Sequence, residues 1–362
     1  MTLPTSEIEP SAADVNDAPQ RATSMEQSEL RSLYVADAQT ARRSLDENPG
    51  SRWHQKDLEA RGAENLACKR LHAPLFTPFV KPGFKISPAD KFFAIGSCFA
   101  RALENTLLGR KMTVLSVARE FASFQTTRKE VTAAGFTNKY NTYSIYNELR
   151  WALDPSAEFP RDTIVDAGHG FVWDPHTNPT LPLADAEETW RRRLLIETVN
   201  RRAAECRVVI ITLGLVEVWR DTHTGVFINT TPLPPVFDRH PDRYEVHVTS
   251  FEQNLKNLEA IHSLLSQFGH EDTHIVVTVS PVPLMATFSG SDIVLANTYS
   301  KSLLRAVAQH WAAAHENVHY FPSYEIVQNS ERSRAWERDL RHVVPETTRH
   351  VMRLFLNAHL EA

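Results

Sequence analysis

The chain has 362 residues, 42% of them hydrophobic and 23% charged, with 39 Lys and Arg against 44 Asp and Glu. This length allows one large domain or two smaller ones, with a sizeable core. The formal charge of -5 leaves no polyanion footprint, so nucleic acid is not an expected partner, and no apolar run reaches the roughly 18 residues that a membrane-spanning helix needs.

The N-terminus has neither a basic n-region nor an apolar h-region, so no signal peptide is expected and the expected location is cytoplasmic. The three cysteines, Cys68, Cys98 and Cys206, are far apart, odd in number and without zinc spacing. They fit a reducing compartment rather than a disulfide framework.

Residues 1–85 read as an extension and 86–362 as the main domain. Met1 to about Gln27 is polar, acidic and free of aromatics, which predicts disorder. Glu29 to Ala63 predicts one or two surface helices. Leu75 to Pro88 mixes Pro with Phe and predicts an extended arm packed on the domain. Lys91 to Ile95 is a short apolar run ended by Gly96, as a buried strand would be. From Phe99 to Leu107 apolar residues recur at helical spacing, up to Gly109. Gly96, Ser97 and Cys98 therefore occupy a strand-to-helix turn.

Met112 to Val117 predicts a second strand. Glu120 to Tyr146, with Phe121, Phe124, Phe136, Tyr140, Asn141, Tyr143 and Tyr146, predicts an excursion over the active face, and Ile145 to Leu153 a short helix. Phe159 to Pro182 predicts a loop with a small hairpin. Leu183 to Glu205 predicts a helix capped by Asp185, with arginines 191 to 193 and 201 to 202 on a solvated face. Val208 to Leu213 (VVIITL) is continuous and β-branched, as a strand covered on both faces should be. A hairpin insertion with its turn at Thr224 and Gly225 follows, its histidines His223, His240 and His247 on the surface.

Phe251 to Phe268 predicts an amphipathic helix, Ile275 to Val279 a buried strand, Ile293 to Ala314 a long helix and Val318 to Phe321 a last strand. Trp336 to Val343 predicts a loop before a helix opened by Pro345. Strands alternating with helices imply a mostly parallel sheet in a three-layer α/β sandwich.

Two constellations carry chemistry. The turn at Ser97 puts a hydroxyl at the carboxyl end of a strand and at a helix N-terminus, where ligands bind in open α/β sheets. The same serine also suits a plain helix cap. Asp339 and His342 lie three residues apart in the loop before the last helix. A serine hydroxyl needs a base, and an imidazole held by a carboxylate suits that task. Cys98 is the neighbouring alternative, expected as a buried structural cysteine turned to another side. Ser300 and Lys301 are adjacent on a helix and do not face each other; packing and solvation account for them.

The pentapeptide Gly96 to Ala100 (GSCFA) resembles the GSCFA family, which belongs with the SGNH or GDSL-type hydrolases. The resemblance spans roughly Pro74 to His342. It includes Asn141 to Ile145 (NTYSI), Thr212 to Trp219 (TLGLVEVW), Ser280 to Pro283 (SPVP), and Asp339 to His342. It implies a flavodoxin-like fold with Ser97 as nucleophile, His342 as base and Asp339 as its orienting acid. Two departures stand out. Ser97 follows Gly96 directly, where the usual first block has an Asp between. At the third block, Gly214 to Glu217 supplies no amide for an oxyanion hole. Gly96, Asn141, Gly214 and Glu217 remain as the oxyanion and substrate-binding candidates, with Glu217 equally suited to a structural acceptor role.

The function so implied is a serine-dependent ester hydrolase or O-acyltransferase. It needs no metal or organic cofactor, and its substrate is a small-molecule or carbohydrate ester. The other class is a non-catalytic glycan- or protein-binding module on the same scaffold.

Overall fold

The computed structural model describes residues 32–56, 62–118, 120–121 and 137–361. The expected disorder at the N-terminus, and Phe124 and Phe136 of the excursion, fall outside these residues. In chain order the elements are α1 (Ala38–Glu47), α2 (Ala67–Arg70), β1 (Lys91–Gly96), α3 (Cys98–Gly109), β2 (Thr113–Val114), α4 (Thr142–Leu153), β3 (Val165–Gly168) and β4 (Phe171–Trp173). There follow α5 (Ala186–Arg201), β5 (Val208–Leu213), β6 (Glu217–Asp221), α6 (Pro234–Arg239), β7 (Tyr244–Val248), α7 (Phe251–Phe268), β8 (His274–Val279) and α8 (Ile293–Ala314). The chain closes with β9 (Val318–Tyr320), α9 (Ser323–Gln328), α10 (Arg332–Ala335) and α11 (Pro345–His359).

Five strands form one parallel sheet in the order β2-β1-β5-β8-β9. Its strands are continuous apolar runs because both faces are covered. Phe93, Ile95, Val209, Ile211, Ile275 and Val277 point into one core, shared with residues of α4, α7 and α8. Phe92, Ala94, Val208, Ile210 and Val276 alternate into the other, against α3, α9 and α11. The result is a flavodoxin-like three-layer sandwich. The arm ahead of β1 adds Phe84 and Ile86 to the second core, and Ile86 bridges to Leu360.

Helix boundaries follow capping chemistry. Asp185 caps α5 by accepting from Glu188 N–H, and Ser250 opens α7 with a full capping box. Helix α4 begins earlier than the spacing predicts, because Asn141 and Ser144 form a capping box that starts it at Thr142. The insertion also differs. β6 pairs with β7, a strand the sequence reading lacks, while the Thr224–Gly225 turn is enclosed, as expected, by the short antiparallel Arg220–Phe227 bridge. β2 keeps only two residues of the expected run.

Two expected solvated groups are buried. Arg193 is 1% exposed and forms a two-pronged pair with Glu148, which also takes Lys139 Nζ at 2.6 Å and Asn200 Nδ2 at 2.9 Å. The α5 face carrying Arg193, Ile196 and Asn200 is turned inward, so the guanidinium has to be paired. Lys301 is likewise 1% exposed. No helix among the described residues is long and apolar enough to cross a membrane.

Candidate functional site

The sheet order reverses at β1, with β2 on one side and β5 on the other. The crevice of such a sheet opens at the carboxyl ends of the strands flanking that reversal, here Gly96 of β1 and Thr212 to Gly214 of β5. Gly96 has φ +134, and a Cβ there would lie 2.3 Å from Thr212 O. Only glycine fits a backbone so placed. Its carbonyl accepts Lys139 N–H at 2.7 Å. Gly214 is equally tight, since a Cβ would meet Tyr140 O at 2.5 Å. Both strand ends are therefore packed against the segment 138–141.

Ser97 is the N-cap of α3 and is 3% exposed. Its Oγ lies 3.1 Å from Thr212 Oγ1 and accepts Phe99 N–H at 3.3 Å, while its own N–H donates to Thr212 O at 3.1 Å. Ser97 thus combines the cap role with a tie to β5. It shares no hydrogen bond with His342 among the described residues. Cys98, expected to be buried, is partly exposed. Within Gly96 to Ala100 it is the one residue that is not buried.

Asp339 and His342 are brought together. Asp339 Oδ1 accepts the N–H groups of Arg341 and His342, each at 3.0 Å, and Oδ2 lies 2.5 Å from His342 Nδ1. These bonds hold the Asp339 carboxyl far below the usual carboxylate range, led by the His342 N–H. The loop is closed at its neck by the Trp336–Val343 bridge and by Glu337 N–H on His342 O. Arg341 Nη1 donates to His342 Nε2 at 3.3 Å, which assigns the imidazole proton to Nδ1. The positive charge of Arg341 also acts on Cys98, Tyr140 and Lys301.

A sequence profile of the GSCFA family matches residues 91–355. The chain belongs to the GSCFA family. No curated protein matches it. Among solved structures, a Clostridium thermocellum family 3 carbohydrate esterase is similar at 10% identity and a TM-score of 0.29, over 74% of this chain and 94% of that one. At that distance the likeness decides nothing about the reaction.

In this GSCFA chain the remaining candidate residues divide by their bonding. Asn141 is 2% exposed; its Oδ1 caps α4 through Ser144 N–H and its Nδ2 donates to Ile228 O. That bond uses one of its two amide N–H donors. Glu217 accepts Thr287 Oγ1 at 2.5 Å and Phe288 N–H at 2.8 Å, which fixes the loop after β8. Val216, at the third-block amide position, is 1% exposed, and its N–H donates to Ser300 Oγ.

Three further residues stand out by their bonding, among them Lys301, which the sequence assigns to packing and solvation. Lys301 Nζ donates to Gly214 O at 2.6 Å, and burial holds its ammonium down at about 7. Tyr140 oxygen accepts amide N–H groups from Asn178 and Asn138, which leaves its own proton for an outside acceptor. Arg341 has an Nε that is buried and without a partner among the described residues. Their signals are slight: Lys301 stands on the Leu304 and Ala308 stripe of α8, and Tyr140 and Arg341 adjoin Asn141 and His342.

Proposed function

We propose that this chain transfers acyl groups from esters, as a hydrolase or an O-acyltransferase, through an acyl-enzyme formed on the turn between β1 and α3. The supporting observation is the hydrogen-bonded Asp339–His342 pair, whose loop neighbour Arg341 acts by its charge on Cys98 at the N-terminus of α3. The carboxylate keeps the imidazole proton on Nδ1, so the Nε2 lone pair is the base. It faces Arg341 in the resting arrangement and reaches the nucleophile when Arg341 gives way. In the form implied by the sequence, the nucleophile is the Ser97 hydroxyl, which then has to leave Thr212. The helix N-terminus favours developing negative charge at this place.

The substrate class proposed is an O-acylated small molecule or carbohydrate. Partly exposed Tyr140, its phenol within electrostatic reach of Cys98, supports an oxygen-rich ligand; Phe121, expected on the aromatic face, is instead buried with Ile196 and Val199. The missing third-block amide favours the second reading, a non-catalytic binding module. The test is an acyl-ester panel with acceptor sugars present and absent. Acyl release dependent on His342 supports catalysis, and transfer to sugar selects the transferase. A folded His342→Ala variant with unchanged turnover would leave the binding module in its place.

A further inference from the structure

We propose that the Cys98 thiol, rather than the Ser97 hydroxyl, is the atom that takes the acyl group, so that the intermediate is a thioester on the first residue of α3. This rests on the acyl-transfer reading above and assigns its nucleophile.

Accessibility is the first reason. Gly96, Ser97, Phe99 and Ala100 are all buried, and Cys98 is the residue of that stretch open to a substrate. The second is hydrogen bonding. Ser97 Oγ holds Thr212 and caps α3, so its attack would break a tie between β1 and β5 and uncap a helix. The third is the oxyanion. A nucleophile usually places the oxyanion by its own N–H in this kind of turn. Ser97 N–H is spent on Thr212 O, whereas Cys98 N–H lies against its own sulfur, at the atom where the acyl carbon would bond. Tyr140, close enough for its phenol to feel Cys98, has a proton to give.

The fourth is the surroundings of the thiol. The charges of Arg341 and Lys301 both act on it, and Arg341 also touches His342 Nε2. Burial pushes the thiol up and these cations pull against it; the net is upward, so the thiol rests protonated and needs a base. His342 is that base. In the first half-reaction Nε2 takes the thiol proton, sulfur bonds to the acyl carbon, the C–O bond to the alcohol breaks, and Nε2 returns the proton to the departing alkoxide. In the second, Nε2 takes a proton from water or an acceptor hydroxyl, whose oxygen attacks the thioester. The C–S bond breaks and the proton passes to sulfur.

The experiment uses the full chain with p-nitrophenyl acetate and iodoacetamide. Cys98→Ala is expected to lower nitrophenol release at least roughly 100-fold, as loss of a covalent nucleophile does. Ser97→Ala loses no more than about tenfold, through its cap and its tie to Thr212. Tandem mass spectrometry of the quenched wild type should place one acetyl group on Cys98, removed by neutral hydroxylamine and much reduced in His342→Ala. Iodoacetamide should inactivate the wild type, with Cys98 alkylated ahead of Cys68 and buried Cys206. Because the acetylated and alkylated residues are read on the unmodified chain, a misfolded variant does not decide the matter.

An acetyl ester on Ser97, with activity retained in Cys98→Ala, would overturn the thiol and leave acyl transfer standing. Acetyl on neither residue, with release no faster than in His342→Ala, would remove both.

Discussion

The buried ammonium of Lys301 makes a quantitative prediction. It is 1% exposed and has Gly214 O as its hydrogen-bond acceptor. Burial lowers it from 10.5 to about 7 in the folded chain. An unfolded lysine stays near 10.4, so between about pH 7 and 10.5 the unfolded state binds the extra proton. Stability therefore rises with pH across that window. The penalty for charging Lys301 is fully present below pH 7 and disappears toward pH 10.5. A shift of about 3.5 pH units corresponds to roughly 5 kcal/mol at 1.36 kcal/mol per unit.

Lys301→Met keeps the length of the side chain and removes the charge. Urea unfolding of wild type and variant at about pH 5.5, 6.5, 7 and 9 reads the difference directly. From pH 7 to 9 the wild type should gain about 2 to 3 kcal/mol relative to the variant, and below pH 6.5 the difference should be flat. Parallel pH profiles, or a wild type that loses ground as pH rises, would refute a buried titrating lysine beneath Gly214.

Glu148→Gln takes the carboxylate from buried Lys139 and leaves buried Arg193 only the more distant Asp174 at 3.6 Å, and should cost about 3 to 5 kcal/mol, read by urea unfolding at neutral pH. In the wild type, burial raises the Glu148 carboxyl but Arg193 and Lys139 outweigh it and hold it at about 2. Its stabilisation is accordingly present above the ordinary carboxylate pKa and lost as pH falls toward 2; the variant should lack that acid limb. Gly96→Ala, with φ +134 and Thr212 O at 2.3 Å from the new Cβ, should cost more than about 2 kcal/mol in the same assay. Asp339→Asn should lower ester turnover by about 10- to 1000-fold, less than His342→Ala, with the melting temperature nearly unchanged because the pair is exposed.

Much of the fold is legible in the sequence because its signals are local. The run Val208 to Leu213 is the observed strand residue for residue, and Ser250 and Pro345 mark helix starts that capping chemistry requires. β7 is not legible. Its Tyr244, Val246 and His247 are half-buried and its Glu245 and Val248 exposed, and its partner β6 lies more than twenty residues earlier, so pairing rather than pattern makes the strand.

Arg193 and Lys301 mislead because their residue type argues for solvent. Their positions argue otherwise: both share the helical spacing of neighbouring buried residues, and position decides once a partner is at hand. The turn at Gly96 is legible as a turn. Period alone does not say which of two adjacent side chains opens on the crevice. That depends on Thr212, a partner 115 residues away. Asp339 and His342 are legible as a pair because a loop of four residues forms their contact by itself.

The two tethers of the crevice bear on how its substrate range could be changed in the laboratory. Segment 138–141 is bonded to Gly96 O and packs on Gly214, so varying it disturbs both strand ends with it. The loop after β8 is different. Glu217 grips it at Thr287 and Phe288 and Asn297 at Leu284, while Met285 between them stands 83% exposed. A library at 285 and 286, with Glu217 and Asn297 left intact, can vary that rim in size and polarity while the strand ends stay in place.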